Sequence, residues 1–383
     1  MAKKLYGEVG GKTRKAKKGY VSVNGKARKI KKAYVGVDGK ARAFWSGGEL
    51  RYYGRATALS EARCDLTATA IGGYALFAGG NNGNYSNVVD AYNRSLTRTK
   101  PAGLEKYGVH IATSVGQYAI IATNDLSNSA LDYVADSYVI YNNSLTKISN
   151  NIGTTVEART GKGVANVGNY ALFAGGSLIP RFGAKKPVST INTINSSLTL
   201  SSIALSKAKR AVCGGKVGNY ALFAGGVGGG TFNPSYYADV DAYNASLTRI
   251  SVTALDNGID SVRCSASIGS SYVLFRVGIA SLPPFNINAY DASLTKRSVT
   301  VPNRDSYEMA AASSENYAIF ADKYYVVAYN DSLTCFMMAP LSDERSNGAA
   351  AVIGNYVLFA GGISSSSSGG TSDKDIVDVY TID

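Results

Sequence analysis

Side chains suited to metal or nucleophilic chemistry are few in this sequence. The 383 residues include one histidine, His110, and four cysteines that form no Cys-x-x-Cys pair. Zinc sites and Ser-His or Cys-His nucleophiles need imidazole and thiolate groups held close together. We therefore interpret His110 as a hydrogen-bonded structural residue on a channel, and we expect no catalytic residue, no metal ion and no cofactor. The cysteines are predicted to be reduced and buried: Cys64, Cys213, Cys264 and Cys335.

Four basic residues form a second candidate set, because each lies nine positions before the glycine of a predicted turn. Such residues could surround the mouth of a channel and bind anionic sugars or carboxylates. Hydrogen bonds between neighbouring elements of the fold would explain the same spacing without a ligand, and we favour this structural role. The four residues are Arg63, Arg159, Lys209 and Arg345.

An internal repeat predicts the elements that position these side chains. The ten residues 167–176 recur at 217–226, and related segments lie at 71–80 and 353–362. Three more divergent copies bring the total to seven, spaced 39 to 52 residues apart, which suits four-stranded units. The copies centre on Tyr74, Tyr118, Tyr170, Tyr220, Tyr272, Tyr317 and Tyr356.

Each copy divides into four predicted strands. A run of small residues is followed by the Tyr strand, by a third strand that ends in Tyr-Asn or Tyr-Asp, and by a fourth strand after Ser-Leu-Thr. Such short strands need neighbouring sheets to bury their faces, so we predict an all-β fold, a seven-bladed β-propeller of four-stranded antiparallel blades. The last copy lacks a fourth strand. Residues 50–59 resemble the fourth strand at 247–255 and are predicted to complete that blade and close the ring.

Five Asn-x-Ser triplets lie between the predicted third and fourth strands, and Asp291 takes the place of asparagine in a sixth copy. This regular placement is typical of Asx turns, in which the side-chain oxygen accepts backbone hydrogen bonds. We favour this interpretation over glycosylation acceptors. The asparagines are Asn93, Asn142, Asn195, Asn244 and Asn330.

The other connections vary in length and composition, and the strand order places them together on the opposite face of the predicted ring. Loops rich in Tyr, Asn and Gly on a rigid scaffold suit adaptable recognition, including sugar rings stacked on aromatic side chains. Solvated loops without a ligand are the alternative. The predicted ligand-binding residues are Asn81, Asn82, Tyr85, Arg181, Phe182, Phe232, Tyr236, Tyr237 and Phe285.

The repeat resembles the kelch-type propeller repeat over residues 49–383, because apolar residues end in Gly-Gly and an aromatic residue follows. Gly-Gly is present in four copies and replaced in three, and the tryptophan that the family carries on its fourth strand is missing. The resemblance implies a propeller that binds a protein partner. Sialidase and WD repeats would also need tryptophan in the repeats, whereas Trp45 lies outside them, and copper oxidase chemistry would need more than one histidine.

Residues 1–48 carry +12 of the formal net charge of +13, from 14 basic and two acidic residues. A repeat of 14 residues begins at Tyr6, Tyr20 and Tyr34, and the Asn-Gly and Asp-Gly pairs of two copies are strong hairpin signals. We predict that this segment is a basic β-hairpin anchor attached to a near-neutral body. Its anchor residues are Tyr6, Lys12, Tyr20, Lys26, Arg28, Tyr34, Lys40 and Arg42.

The basic segment resembles N-terminal modules of tail and other structural proteins of phages and prophages of Gram-positive bacteria, on the run that ends in Phe44-Trp45-Ser46-Gly47. The resemblance implies a non-enzymatic structural or adhesion protein, made in the host cytoplasm and located on a virion or phage-derived particle. The expected partners are other structural proteins of the particle and a host-surface glycan or protein, with homo-oligomers also considered. We expect no membrane insertion and no nucleic-acid binding. The alternative is an intracellular kelch-like scaffold for a protein partner, and an enzyme comes third.

Overall fold

The computed structural model of the chain is built from β-strands. It describes the strands between residues 6 and 46, and the following parts of the rest of the chain: 50–105, 108, 110–123, 137–148, 152, 159–178, 186–230, 233–256, 261–279, 282–300, 308–323, 325–365 and 370–382. Within these residues, no helix is long and apolar enough to span a membrane.

Seven four-stranded antiparallel sheets make up the part of the chain from residue 50 onward. We number them sheets 1 to 7 and name the strands of each, in spatial order, inner, second, third and outer. Sheet 1 contains Thr67–Ile71, Tyr74–Ala78, Val89–Asn93 and Arg98–Thr99; sheet 2 contains His110–Val115, Tyr118–Thr123, Ser137–Asn142 and Lys147–Ile148; sheet 3 contains Gly163–Val167, Tyr170–Ala174, Thr190–Asn195 and Leu200–Ala204; sheet 4 contains Cys213–Val217, Tyr220–Ala224, Val240–Tyr243 and Arg249–Ser251. Sheet 5 contains Ser261–Ile268, Tyr272–Ile279, Leu282–Asp291 and Lys296–Thr300; sheet 6 contains Glu308–Ser313, Tyr317–Asp322, Val326–Asn330 and Cys335–Met337; sheet 7 contains Ala349–Ile353, Tyr356–Ala360, Val377–Ile382 and Leu50–Arg55.

Neighbouring sheets pack face to face through seven apolar clusters, one for each pair of consecutive sheets. The cluster between sheets 7 and 1 joins Phe77 and Tyr92 to Leu358 and Val379, all of which are buried. Inner strands of consecutive sheets also contact one another, and the inner strand of sheet 7 contacts that of sheet 1. The small residues of the inner strands permit this close approach.

The outer strand of sheet 7 comes from the beginning of this region, as predicted. Leu50–Arg55 pairs antiparallel with Val377–Ile382, with Leu50 opposite Ile382 and Arg55 opposite Asp378. Leu50 is buried in the cluster between sheets 6 and 7. The pairing predicted between the orphan segment and the last copy is therefore confirmed.

The short connections lie at one end of the sheets, which we call the turn face. All six predicted Asx turns are present: the side-chain oxygen accepts two backbone hydrogen bonds at 2.9–3.1 Å in each. The leucine of each Ser-Leu-Thr has a positive φ of 56° to 63° and packs against a core cluster. These leucines are Leu96, Leu145, Leu198, Leu247, Leu294 and Leu333.

Additional short strands lie at the other end of the sheets, which we call the ribbon face. Within the described residues they form three ribbons from the connections between second and third strands, and ribbon 3 also includes a strand that precedes the inner strand of sheet 3. Ribbon 3 contains Arg159–Thr160, Ser177–Leu178 and Lys186–Pro187; ribbon 4 contains Val227–Gly229 and Pro234–Tyr236; ribbon 7 contains Ile363–Ser365 and Thr371–Asp373.

The basic N-terminal segment forms three antiparallel strand pairs, which confirms the predicted hairpins at the level of the backbone. In the second pair Val23 lies opposite Lys26, and in the third Val37 lies opposite Lys40, so two residues separate the strands. The strands are Tyr6–Val9 with Lys12–Lys15, Gly19–Val23 with Lys26–Ile30, and Lys32–Val37 with Lys40–Ser46.

Candidate functional site

The recurrent basic residues are buried and bind within the fold. A guanidinium nitrogen of Arg63 lies 2.9 Å from a carboxylate oxygen of Asp90 and also donates to the carbonyl of Phe77. Arg345 makes the same contact with Asp378, again at 2.9 Å, and all four of these charged side chains have zero exposure. Two buried charges of opposite sign compensate each other only when they are paired in this way.

The other two recurrent basic residues, Lys209 and Arg159, also bind within the fold, but to different partners. The ammonium of Lys209 lies 2.6 Å from Asp239 and 3.2 Å from Asp241. Arg159 donates to two backbone carbonyls, at 2.7 and 2.9 Å. Burial alone would raise the pKa of Asp239, but its hydrogen bonds to Lys209 and Lys207 outweigh burial and lower that pKa. The hypothesis of a ligand-binding basic ring at a channel mouth is therefore wrong, and the structural interpretation is confirmed.

The Gly-Gly pairs allow each sheet to approach the next. A Cβ atom on Gly361 would come within 2.6 Å of the carbonyl oxygen of Arg63, and one on Gly175 within 2.4 Å of that of Lys209. The following glycine donates its N–H to the same carbonyl, as Gly362 does to Arg63 at 3.0 Å. Both glycines of each pair have positive φ, so a side chain would be strained as well as crowded.

Third strands carry a second recurrent device, which the sequence interpretation did not identify. The hydroxyl of Tyr92 donates to the carbonyl of Thr57, which lies in the connection leading into sheet 1, and Asp90 accepts from the backbone N–H of Ser60 in that connection. Equivalent tyrosines in four other sheets donate to carbonyls at equivalent places. The recurrence of Asp-Ala-Tyr and Ala-Leu-Ser in the sequence was the available signal. These connections therefore belong to the scaffold.

His110 begins the inner strand of sheet 2, as predicted, but its imidazole packs against Gly79 of sheet 1. A Cβ atom on Gly79 would lie 2.0 Å from His110 Cδ2. Among the described residues, no hydrogen bond of ordinary geometry reaches either imidazole nitrogen. Burial lowers the pKa of His110 to about 4, although the backbone of Ser86 partly offsets this shift. The prediction that His110 is a hydrogen-bonded residue on a channel is therefore wrong, because its imidazole packs against sheet 1.

The four cysteines are free thiols, as predicted, although only Cys64 is fully buried. Burial is the main cause that raises the pKa of Cys64 to about 12, and the neighbouring carboxylate of Asp65 adds to it. A thiol with a raised pKa is a poor nucleophile and a poor metal ligand at neutral pH. Across the described residues, no group of three or more His, Cys, Asp or Glu side chains is placed to hold a metal ion.

A cavity of about 830 Å³ lies among the inner strands of sheets 2 to 7 and reaches the turn face at Gly218 and Ser270. Small and polar residues line it. Many of the polar groups already bind neighbouring strands: Ser265 Oγ donates to the carbonyl of Gly214, and Ser267 Oγ to that of Lys216, both at 2.6 Å. These hydroxyls connect adjacent inner strands, so the cavity is chiefly the space around which the strands are arranged.

The predicted ligand-binding residues near sheet 1 lie on the ribbon face. Asn81 pairs with Cys64 and with Tyr85, and its side chain accepts the N–H of Gly83 at 2.7 Å in an Asx turn. Asn82 is exposed, and Tyr85 is 37% exposed. Asn81 is therefore a turn residue, while Asn82 and Tyr85 are available to solvent.

The other predicted ligand-binding residues have different surroundings. Tyr236 is 47% exposed on ribbon 4, whereas Tyr237 is half-buried between Gly228 and the ammonium of Lys207, which lies 4.8 Å from the centre of its aromatic ring. Phe285 lies in a strand rather than in the predicted loop. Three predicted residues lie outside the described part of the chain: Arg181, Phe182 and Phe232.

The structure brings ribbons 3 and 4 together. Lys186–Pro187 of ribbon 3 contacts Val227–Gly229 of ribbon 4, although the two segments are about 40 residues apart in the sequence. From the sequence, their residues are predicted only as separate loops. Their contact makes one continuous surface on the ribbon face of sheets 3 and 4.

No protein-family model matches this chain, and no curated protein compared with it gives a match. The function is therefore proposed from the fold and from the two faces of the sheets.

Proposed function

We propose that the seven sheets form a closed seven-bladed β-propeller of the kelch-like kind. Three contacts between the last and first sheets support closure. The inner strands of sheets 7 and 1 touch, a buried cluster lies between these sheets, and the N–H of Gly362 donates to the carbonyl of Arg63 at 3.0 Å. Leu50–Arg55 then joins the two ends of the chain within one blade, which removes an exposed edge from the third strand of sheet 7.

We further propose that the protein is a non-enzymatic structural or adhesion component of a phage or phage-derived particle. The observation that carries this proposal is that the chain enters sheet 7 from residues 1–48 at one end of the sheets, whereas the varied ribbons lie at the other end. Leu50 lies opposite Ile382, whose N–H donates to Asn355 in a turn of the turn face. The basic hairpin repeat therefore joins the propeller at the turn face, while the varied ribbons lie at the other end.

This arrangement suits a protein that is attached at one end and displays a surface at the other. The +12 segment supplies a concentrated positive charge for docking to other structural proteins of the particle. The rigid propeller then presents its ribbons outward, where a host-surface glycan or protein would bind. The resemblance of the hairpin repeat to phage structural modules supports the particle as the setting.

The test is to purify intact particles from the producing cells and to identify their proteins by mass spectrometry. The proposal expects the full chain in the particles, and expects a chain lacking residues 1–48 to fold but to be lost from them. Absence of the full chain from every particle fraction would contradict the proposal and favour the intracellular scaffold. Incorporation of the shortened chain at the normal level would move the docking surface onto the propeller.

A further inference from the structure

Ribbons 3 and 4 carry a distinctive combination of aromatic and cationic residues. In the sequence of ribbon 3, residues 177–187 contain three basic residues and no acid, and residues 227–237 of ribbon 4 contain no charged residue but three aromatic ones. Ribbon 7 differs, since residues 363–373 are mostly Ser and Gly and include an acid. Of the three ribbons, ribbons 3 and 4 thus have the aromatic and cationic character.

The register of the strands aligns three side chains on one face of ribbon 4. Arg210 pairs with Val227, and Val227 pairs with Tyr236. Residues directly opposite each other in antiparallel strands point to the same face, so the side chains of Arg210, Val227 and Tyr236 share one face. The backbones of Arg210 and Tyr236 are two strand spacings apart, about 10 Å, and Lys186–Pro187 of ribbon 3 contacts the strand of Val227.

The cations of this surface lack acidic partners. Arg210 is half-buried, its Nε is buried without a hydrogen-bond partner, and within the described residues it takes part in no ion pair. Lys186 is exposed and likewise unpaired among those residues. This contrasts with Lys209, which two aspartates neutralise. A partly desolvated guanidinium without a carboxylate favours an anionic ligand from outside the chain.

Tyr236 provides the complementary apolar group. Nearly half of its side chain is exposed, and its neighbour Tyr237 is held between Gly228 and Lys207, which stabilises the base of the ribbon. An exposed aromatic ring of this kind can stack on the apolar face of a sugar at little cost in conformational entropy. A sugar ring on Tyr236 would place an acidic substituent toward Arg210.

We propose that Arg210, Tyr236 and Lys186 form a binding site for an acidic glycan on the ribbon face. The sugar ring stacks on Tyr236, and its carboxylate or phosphate pairs with Arg210, with Lys186 adding positive potential. This inference rests on the proposed display function, since it names the class of ligand for the displayed surface.

The test measures binding of the full chain to short oligosaccharides by isothermal titration calorimetry. Trigalacturonate tests carboxylates, phosphorylated maltotriose tests phosphates, and maltotriose is the neutral control. We expect at least one acidic trisaccharide to bind and maltotriose not to. Arg210→Ala and Tyr236→Ala should each weaken binding by about tenfold or more, and Tyr236→Phe should keep it within about threefold, because stacking needs the ring and not the hydroxyl.

The matched control is Arg297→Ala, which removes an exposed arginine of the same charge from the outer strand of sheet 5. It should leave the affinity unchanged, and thereby separates the ribbon site from the general effect of removing one positive charge. No binding of either acidic trisaccharide, equal binding of maltotriose, or equal weakening by Arg297→Ala would each overturn the proposal. Particle composition decides the proposed function independently, so the two can fail separately.

Discussion

The two ends of the sheets are built on different principles. At the turn face, turns pack against the following sheet: a Cβ atom on Gly168 of sheet 3 would come 2.9 Å from Ala245 of sheet 4, and one on Gly218 would come 3.0 Å from Ala292 of sheet 5. At the ribbon face, buried ion pairs and Gly-Gly contacts hold the bases of the ribbons, while nothing lies within 4 Å of a Cβ atom placed on Gly83.

This difference explains why one end repeats its sequence and the other varies. A turn that contacts its neighbour on every sheet must keep the same residues, because a larger side chain would displace the next sheet. A ribbon is constrained only at its base, so its exposed residues are free to change. Variation at the ribbon face is therefore compatible with a rigid scaffold beneath it.

The largest effect is expected from removal of the outer strand of sheet 7, which pairs with Val377–Ile382. Deleting residues 49–60 takes away buried Leu50 and Leu59 and partly buried Tyr52, and exposes the edge of sheet 7. We expect the melting temperature to fall by about 10 °C or more, measured by circular dichroism. Deleting residues 1–48 instead should change it little. Equal melting temperatures of the two shortened chains would show that residues 49–60 do not stabilise the sheets.

The next largest effect tests the ion pairs at the ribbon bases. Asp378→Ala leaves Arg345 buried without its carboxylate, and should lower the free energy of unfolding by about 3–5 kcal/mol in urea titrations. Lys374→Ala is the control, because it breaks only the partly exposed pair with Asp343 at 3.1 Å and should cost less than about 1 kcal/mol. Similar losses for both variants would mean that burial does not distinguish these pairs.

The pH dependence of stability tests His110, which begins the inner strand of sheet 2 at the ribbon face. The pKa of His110 is about 4 in the folded chain and near 6.5 in the unfolded chain. The unfolded chain binds the proton first, so stability should fall by up to about 3 kcal/mol as the pH drops from 6.5 to 4, and this loss is absent above pH 6.5. His110→Leu, which imitates Leu66 at the same place in sheet 1, should reduce that fall. If His110→Leu loses as much stability between pH 6.5 and 4 as the unsubstituted chain, other groups cause the loss.

The smallest effect is the difference in the cost of replacing single glycines on the two faces. Gly168→Ala should cost about 2–4 kcal/mol, because the new methyl meets Ala245 and the backbone has a φ of +52°. Gly83→Ala on the ribbon face also has a positive φ but open space around it, and should cost about 1 kcal/mol. Urea titrations of both variants measure the difference. Equal costs would show that backbone strain, and not packing, keeps the turn face uniform.

The strands and turns could be predicted from the sequence because each leaves a local signal that the repeat multiplies. The Asx turns and the outer strand of sheet 7 follow from such signals. The pairing of Arg63 with Asp90 could not be predicted in the same way, since it joins the connection before sheet 1 to the third strand of that sheet, 27 residues away. The contact of ribbons 3 and 4 depends on how sheets 3 and 4 lie beside each other. That Arg210 has no acidic partner among the described residues can be seen only from the positions of its neighbours.

The outer strand of sheet 7 also determines how the protein would bear mechanical load. Tension applied through residues 1–48 reaches sheet 7 at Leu50, at the turn-face end of its outer strand. A pull away from that face runs along the strand axis, so it shears all the backbone hydrogen bonds between Leu50–Arg55 and Val377–Ile382 at the same time instead of peeling them one by one. The attachment therefore resists force as a set of bonds in parallel.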